Sequence, residues 1–306
     1  MNLLQKGLIL SAKSKNNKFH VGKSLTALLF ILPAIVLTIV FRYYPFFKAM
    51  SMSVMEYPNV LTPGKFVFLD NFITVVSTSL FWISLKNIII IWMMGICIGF
   101  WVPILQALCI NELVKGQRLA KFFYIIPIAI PAVAGYLIWR WIFLPDAYGG
   151  LNSLFGLIGL GPFGWLNDTG LVKLSLALPG LQGGGMGVFL YLSAILGISS
   201  EVYEAAKLDG CVGILKWRYI TLPNISFIIG IQFLFSIIGG LQAFDQQFVM
   251  TGGGPNNASL VPGIVIYDYA FHQWKFGLAT ALSVVLFLII FMFTLIQLRM
   301  TKMHQN

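Results

Sequence analysis

Residue types that could catalyse a reaction, bind a phosphate or ligate a metal are few and scattered in this chain of 306 residues. A phosphate-binding loop needs glycines followed by Lys and then Ser or Thr, and the glycine runs at 183–185 and 252–254 lack that continuation. The three histidines and three cysteines have no metal-ligand spacing. We therefore expect that the chain is not an enzyme, binds no metal or cofactor and does not hydrolyse ATP itself.

The composition places the chain in a lipid bilayer. Its residues are 58% hydrophobic and 10% charged, with a mean hydropathy of +0.86, which is far too apolar for a soluble domain of this length. The net charge of +10 comes from basic residues clustered at the ends of apolar segments, a pattern that lipid headgroups and insertion topology produce. A nucleic-acid partner is therefore not expected.

Six apolar segments have about the 20 residues that an α-helix needs to cross the hydrocarbon core. The fourth is the weakest, because Pro179 and the glycines at 183–185 and 187 interrupt it. Such breaks are tolerated where a water-lined cavity or neighbouring helices satisfy the freed backbone groups, so this segment is a candidate for a substrate path or for close helix packing. The predicted spans are Ser24–Tyr44, Asn87–Ile110, Phe122–Leu144, Leu174–Ile198, Ile225–Phe244 and Phe276–Leu298.

The distribution of Lys and Arg orients these spans, because cytoplasmic loops carry the excess of positive charge. The side that holds both termini has 13 Lys and Arg, and the other side, although longer, has 7. Both termini are therefore predicted to be cytoplasmic. We predict a basic cytoplasmic tail at residues 1–23, a six-helix domain at 24–298 with a cytoplasmic loop at about 199–223, and a second cytoplasmic tail at 299–306.

The loop between the fourth and fifth spans has a defined pattern. Residues 201–209 predict a short helix with an acid in its first turn, where the helix dipole favours negative charge, and with Gly210 placed to end it. Ala205 and Ala206 are expected to present a flat surface for close approach beside Glu204. A helix of two turns is not stable alone and needs a partner to pack against.

From Glu204 to Pro223 the same loop reads E-A-A, three residues, G, nine residues and I-x-L-P. This pattern resembles the signature of permease subunits of binding-protein-dependent ABC importers, which are all-α, polytopic membrane proteins with the type I importer fold. The resemblance implies a coupling helix seated in a groove of a separate ATPase subunit, which uses ATP and Mg to rock the permease between inward-facing and outward-facing forms. The implied ATPase contacts are Glu204, Ala205, Ala206 and Gly210, with Asp209 beside them.

Three further segments, residues 141–152, 250–255 and 276–281, resemble the larger permease subunit of maltose and multiple-sugar systems. The resemblance implies a multi-pass protein of the bacterial plasma membrane that translocates a sugar or oligosaccharide delivered by an extracytoplasmic solute-binding protein. It also implies a heterodimer with a second, homologous permease subunit and a pair of ATP-binding subunits. Residues 181–186 depart from the family pattern, with more glycines and no tryptophan, and this departure leaves the identity of the sugar open.

The resemblance also transfers a substrate path onto the two spans that flank the loop. Ser236 can hydrogen-bond a sugar hydroxyl, and the glutamines offer a donor and an acceptor together. Buried polar side chains in a span usually face an interior path, although for each glutamine an interhelical hydrogen bond is an equal alternative. The resemblance implies Gln182, Gly183, Met186, Ser236, Gly240 and Ala243, and the polarity argument adds Gln232, Gln242 and Asp245.

Two alternatives remain open. The solute could be a glycerol phosphate ester or a charged oligosaccharide, although few cationic residues lie inside the spans. The chain could instead be a self-sufficient secondary carrier. A proton-coupled carrier is disfavoured because Asp245 lies at an end of the fifth span and the other acids fall in loops, where they cannot form an intramembrane relay.

Overall fold

The computed structural model describes residues 21–57, 62 and 64–303. This part of the chain contains helices and turns but no β-strand, and it is all-α as predicted. The predicted N-terminal tail, residues 1–23, lies almost entirely outside the described residues.

The helices are numbered here in chain order. They are α1 Val21–Thr38, α2 Tyr44–Ser53, α3 Asp70–Ser77, α4 Ser79–Ile98, α5 Val102–Glu112, α6 Gln117–Ala129, α7 Ala132–Ile142, α8 Gly150–Gly156, α9 Val172–Ala177, α10 Gly185–Leu196, α11 Ser200–Leu208, α12 Ile214–Lys216, α13 Leu222–Asn224, α14 Ser226–Leu241, α15 Asp245–Met250, α16 Pro262–Tyr267 and α17 Phe276–Met303. The chain forms two compact units, divided between Ser51 and Met52. The first contains α1, and the second contains α3 to α17.

Three helical segments are long and apolar enough to cross a membrane: Leu28–Ser53, Ser79–Glu112 and Phe276–Arg299. Three pairs of helices pass the same test together but bend at a short break: α6 with α7, Ile214–Asn224 with α14, and α10 with α11. When each pair counts as one span, the described residues contain six, the number predicted. The last helix continues to Met303, so the start of the predicted C-terminal tail extends the sixth span.

The bounds of the spans differ from the prediction where the chain bends or where polar residues extend a helix. The first span continues past its predicted end at Tyr44 to Ser53. The second begins at Ser79, ahead of the apolar window that starts at Asn87. The third turns by 97° between α6 and α7, because Ile130 precedes Pro131 and is therefore held in an extended conformation.

The fourth predicted span is broken in its middle. A 3-10 helix, Leu178–Gln182, follows α9, and α10 starts three residues later at Gly185. Gly183 and Gly184 lie between the two helices with φ angles of 56° and 72°, a backbone conformation that glycine adopts without steric cost. The predicted interruption is confirmed, and it divides this span into short pieces.

Gln106 of α5 satisfies the backbone at this break. Its Nε2 donates to the carbonyl of Gln182 at 2.9 Å, and its Oε1 accepts from the N–H of Gly184 at 2.6 Å. A Cβ at Gly183 would lie 2.5 Å from that Oε1, so the approach of Gln106 depends on a glycine. A neighbouring helix thus pairs the groups that the break frees, as the absence of water in a bilayer core requires.

Two separate hydrophobic clusters hold the second unit together. The larger joins α4, α9 and α17 through buried residues such as Ile88, Val172 and Leu282. The smaller joins α5 to α10 through residues such as Leu108 and Tyr191, and it includes the start of the fifth span. The 3-10 helix Leu178–Gln182 and the glycine break lie along the chain between α9 of the larger cluster and α10 of the smaller one.

Asn152 organises the segment between α7 and α9. Its side chain is buried, with 3% exposure, and makes five hydrogen bonds. The Nδ2 donates to the carbonyls of Leu144, Asp146 and Phe163 at 3.0–3.1 Å. The Oδ1 accepts from the N–H of Phe163 at 3.0 Å and from the indole N–H of Trp165 at 2.8 Å. One amide therefore connects four points of an otherwise irregular segment.

We expect Asn152→Ala to loosen this segment, because each buried polar group left without a partner costs about 1–3 kcal/mol. Hydrogen–deuterium exchange of the detergent-solubilised protein should become faster across residues 144–165. The control is Ser153→Ala, which removes an exposed hydrogen bond to the carbonyl of Ala147 and should exchange at the wild-type rate. Equal exchange in both variants would contradict the structural role of Asn152.

Candidate functional site

The predicted loop helix is present as α11 and ends in a Schellman motif. Gly210 follows it with a φ of 74°. The N–H of Cys211 donates to the carbonyl of Ala206 at 2.8 Å, and the N–H of Gly210 donates to the carbonyl of Lys207 at 3.1 Å. These two bonds satisfy the carbonyls that a helix end leaves free. Glu201 lies in the first turn, as the pattern predicted.

The side chains of α11 divide into an exposed face and an inward face. Glu204, Ala205, Asp209 and Gly210 are exposed, as a contact surface requires. Ala206 is 6% exposed and packs inward, so the expectation that it presents part of the flat outer surface is not met. The reason is helical geometry, since two residues of separation rotate a side chain by about 200° and carry it to the opposite side from Glu204.

Leu208, at the end of α11, is an exposed residue that the motif did not single out. Its side chain is 90% exposed. Further exposed apolar side chains follow it along the return segment, and together they form the apolar loop surface. These residues are Leu208, Val212, Ile214, Leu215 and Tyr219. A contiguous stretch of exposed apolar side chains is typical of a surface that another protein or a lipid covers.

The return segment is fastened to the end of α5. The Nζ of Lys216 lies 2.6 Å from Oε1 of Glu112, and the indole N–H of Trp217 donates to the same oxygen at 3.3 Å. Lys216 also lies over the ring of Tyr203 in α11, 5.8 Å from its centre. We call Glu112, Lys216, Trp217 and Tyr203 the Glu112 clamp. An exposed ion pair stabilises a protein by only about 0.2–1 kcal/mol, so the clamp matters chiefly for position.

A cavity of about 270 Å³ lies between α4, the 3-10 helix Leu178–Gln182, and the region where α14 gives way to α15. The aromatic side chains of Trp92 and Phe100 contribute to one wall. None of the described residues that line the cavity is charged. Apolar and aromatic walls with a few polar groups are characteristic of sites for small molecules.

The structure brings together some of the predicted path residues and separates others. Ser236, Gly240 and Ala243 line the cavity. The hydroxyl of Ser236 donates to the carbonyl of Phe233 at 2.7 Å, and its oxygen can still accept a hydrogen bond. The remaining predicted residues, which do not line this cavity, are Gln182, Gly183, Met186, Gln232, Gln242 and Asp245.

These remaining residues lie at other places in the second unit. Gln182 and Gly183 belong to the break that Gln106 satisfies. Gln232 lies between helices, where its Nε2 would be 3.6 Å from a Cβ at Gly187 of α10. The side chains of the other three, Met186, Gln242 and Asp245, are exposed in the isolated chain.

Sequence reasoning missed the cavity residues Trp92, Phe100, Gln246 and Gln247. The amide of Gln246 donates to the carbonyl of Leu176 at 2.8 Å, while Gln247 is buried with 1% exposure. The two adjacent glutamines just after the fifth span were a visible signal, because amides are unusual next to so apolar a segment. Nothing local distinguished Trp92 from the other seven tryptophans of the chain.

The geometry defines an all-α membrane protein with an exposed loop helix joined to broken spans around a cavity. Residues 95–302 match the family model described as the binding-protein-dependent transport system inner membrane component. The match spans more than half of the chain, and the protein belongs to this family. It is a transport component rather than an enzyme.

Individual relatives cover nearly the whole chain. The multiple sugar-binding transport system permease protein MsmF of Streptococcus mutans is 28% identical over 89% of this chain and 94% of its own length. The lactose transport system permease protein LacF of Rhizobium radiobacter is 28% identical over 88% of this chain and 91% of its own length. The trehalose/maltose transport system permease protein MalF of Thermococcus litoralis is 24% identical, with corresponding coverages of 91% and 94%.

A solved structure confirms the fold. A bacterial ABC transporter involved in the import of the acidic polysaccharide alginate contains a chain that superposes with a TM-score of 0.81. The two chains are 22% identical, and the match covers 94% of this chain and 98% of the other. The predicted importer permease fold is therefore confirmed, while the cytoplasmic orientation of the termini stays a prediction.

We expect Glu112→Lys to lower the rate of solute uptake by the assembled transporter several-fold, because it places like charges together and releases the return segment from α5. Lys216→Glu should have a similar effect. The double variant Glu112→Lys/Lys216→Glu restores opposite charges and should recover a large part of the rate. Uptake into proteoliposomes, normalised to inserted protein, measures all three. A double variant no better than either single one would contradict the clamp.

Proposed function

We propose that the chain is a permease subunit of a bacterial sugar importer, located in the inner membrane and driven by a separate ATPase. The observation that carries the ATPase part is the exposed end of α11, where Glu204, Ala205, Leu208 and Gly210 face outward. A capped two-turn helix with an exposed apolar side chain is suited to dock in a groove of another protein.

The proposed complex contains further subunits. A second, homologous permease would complete the path, two ATP-binding subunits would use ATP and Mg, and an extracytoplasmic binding protein would deliver the solute. The lipid bilayer would cover the remaining exposed apolar side chains, which are abundant on α1 and on α17. The binding-protein partner is supported by the family to which the chain belongs.

A neutral sugar or oligosaccharide is the solute that the cavity favours. The walls combine aromatic rings with a hydroxyl and two amides, and the described lining residues include no cation that would pair with a phosphate or a carboxylate. Burying an unpaired anion in such a cavity would be costly. The names of relatives that act on lactose, on trehalose and maltose, and on multiple sugars support the same class. A glycerol phosphate ester or a charged oligosaccharide is correspondingly less suited.

We expect Glu204→Lys to abolish docking of the ATPase and uptake, because it reverses the charge at the centre of the exposed face of α11. Glu204→Gln keeps the size and the accepting oxygen, and it should retain part of the activity. Co-purification of the ATPase subunit and ATP-driven uptake are the measurements, and membrane insertion should be equal in both variants. Normal uptake by Glu204→Lys would remove the coupling role.

The solute is tested by competition. Uptake of a radiolabelled neutral disaccharide by the complete transporter, with its binding protein, should be inhibited by other neutral sugars but not by glycerol 3-phosphate or alginate oligosaccharides. The isolated chain should show neither ATPase activity nor uptake down a gradient. Gradient-driven uptake by the chain alone would replace the importer with a secondary carrier.

A further inference from the structure

Two side-chain atoms in the described part of the chain are buried without a hydrogen-bond partner: Nε1 of Trp92 and Oε1 of Gln247. Buried polar side-chain atoms in proteins are paired in the large majority of cases, so each exception calls for an explanation. The amide of the adjacent Gln246 shows the usual situation, since it donates to the carbonyl of Leu176.

The two residues line the same cavity from different elements of the fold. Trp92 belongs to α4 and Gln247 to α15, which are far apart in sequence. Gly240 of α14 allows the indole to approach, because a Cβ at that position would overlap the ring. The unpaired atoms are therefore part of a wall that several helices build, and not the result of one irregular loop.

The chemistry of the pair is complementary to a hydroxyl group. An indole N–H can only donate a hydrogen bond, and an amide oxygen can only accept one, whereas a hydroxyl does both. The aromatic surroundings suit the apolar faces of a sugar ring: Phe233 packs against Trp92 and Phe100 with ring centres 6.1 and 5.8 Å apart, and both of these rings line the cavity. Ser236 adds a further hydroxyl on the wall.

We propose that Trp92 and Gln247 are specificity-determining residues that hydrogen-bond hydroxyl groups of the sugar as it passes through this cavity. This inference rests on the proposed sugar function and adds two contacts that neither the motif nor the helix spacing indicates. An ordered water molecule is the simpler occupant, since a polar cavity of this size can hold several. The test must therefore separate sugar recognition from hydration and from a structural role.

The first test uses Trp92→Phe and Gln247→Leu in the complete transporter, with lactose, maltose and raffinose as probes. We expect the apparent affinity for each transported probe to fall at least fivefold in both variants. Thermal stability should be unchanged or higher, because each change removes a buried polar group that the protein itself leaves unpaired. The matched control is Trp82→Phe on the same helix, whose indole N–H donates to the carbonyl of Val76 at 2.8 Å; its affinity should equal that of the wild type.

The second test uses monodeoxy analogues of the probes that are transported. An analogue that lacks the recognised hydroxyl should be taken up less well by the wild type, and Gln247→Leu should not weaken its uptake further. Full additivity for every analogue, wild-type affinity in both variants, or a loss of affinity that parallels a loss of stability would each overturn the proposal; wild-type affinity would indicate water only. If the wild type transports none of the probes, the proposed sugar function fails first, and that arm distinguishes the two failures.

Discussion

The constraint on which the second unit depends is that a broken span must pair its backbone groups with protein, because the bilayer core offers no water. The chain breaks its fourth span at Gly183 and Gly184, and the amide of Gln106 supplies both a donor and an acceptor to the break. The 3-10 helix before the break can then lie so close to α4 that a Cβ at Gly99 would be 2.8 Å from the Cα of Gly180. This close approach forms one wall of the cavity.

Helix α5 connects the break to the exposed loop. It carries Gln106 and, six residues later, Glu112, whose carboxylate holds the return segment through Lys216. The smaller hydrophobic cluster packs α5 against α10, which leads directly into α11. Force applied to the exposed face of α11 would therefore reach the glycine break through two routes, the backbone of α10 and the Glu112 clamp. Both routes end at the same short stretch of the fourth span.

The features that could be predicted from the sequence are those set by local composition. Apolar windows indicate the number of spans, Pro179 and the glycines indicate the break, and Gly210 marks the end of the loop helix. The bridges of Gln106 and Glu112 could not be predicted, because they join residues 76 and 104 positions apart. The inward turn of Ala206 depends on which side of a short helix meets the protein. Gln182 and Gly183 were assigned to the path by spacing alone, which cannot show that the break turns them towards Gln106.

The character of the cavity is consistent with a site that must release what it binds. A neutral hydrogen bond contributes only about 0.5–1.5 kcal/mol net, because it replaces one made to water. An indole, an amide and a hydroxyl can thus favour one pattern of hydroxyl groups without holding a sugar tightly. A solute that lacks the matching group leaves a buried donor or acceptor unpaired, which costs more than the bond contributes. Discrimination in the proposed path would therefore come from mismatch, and tight capture would be left to the external binding protein on which this family of transport components depends.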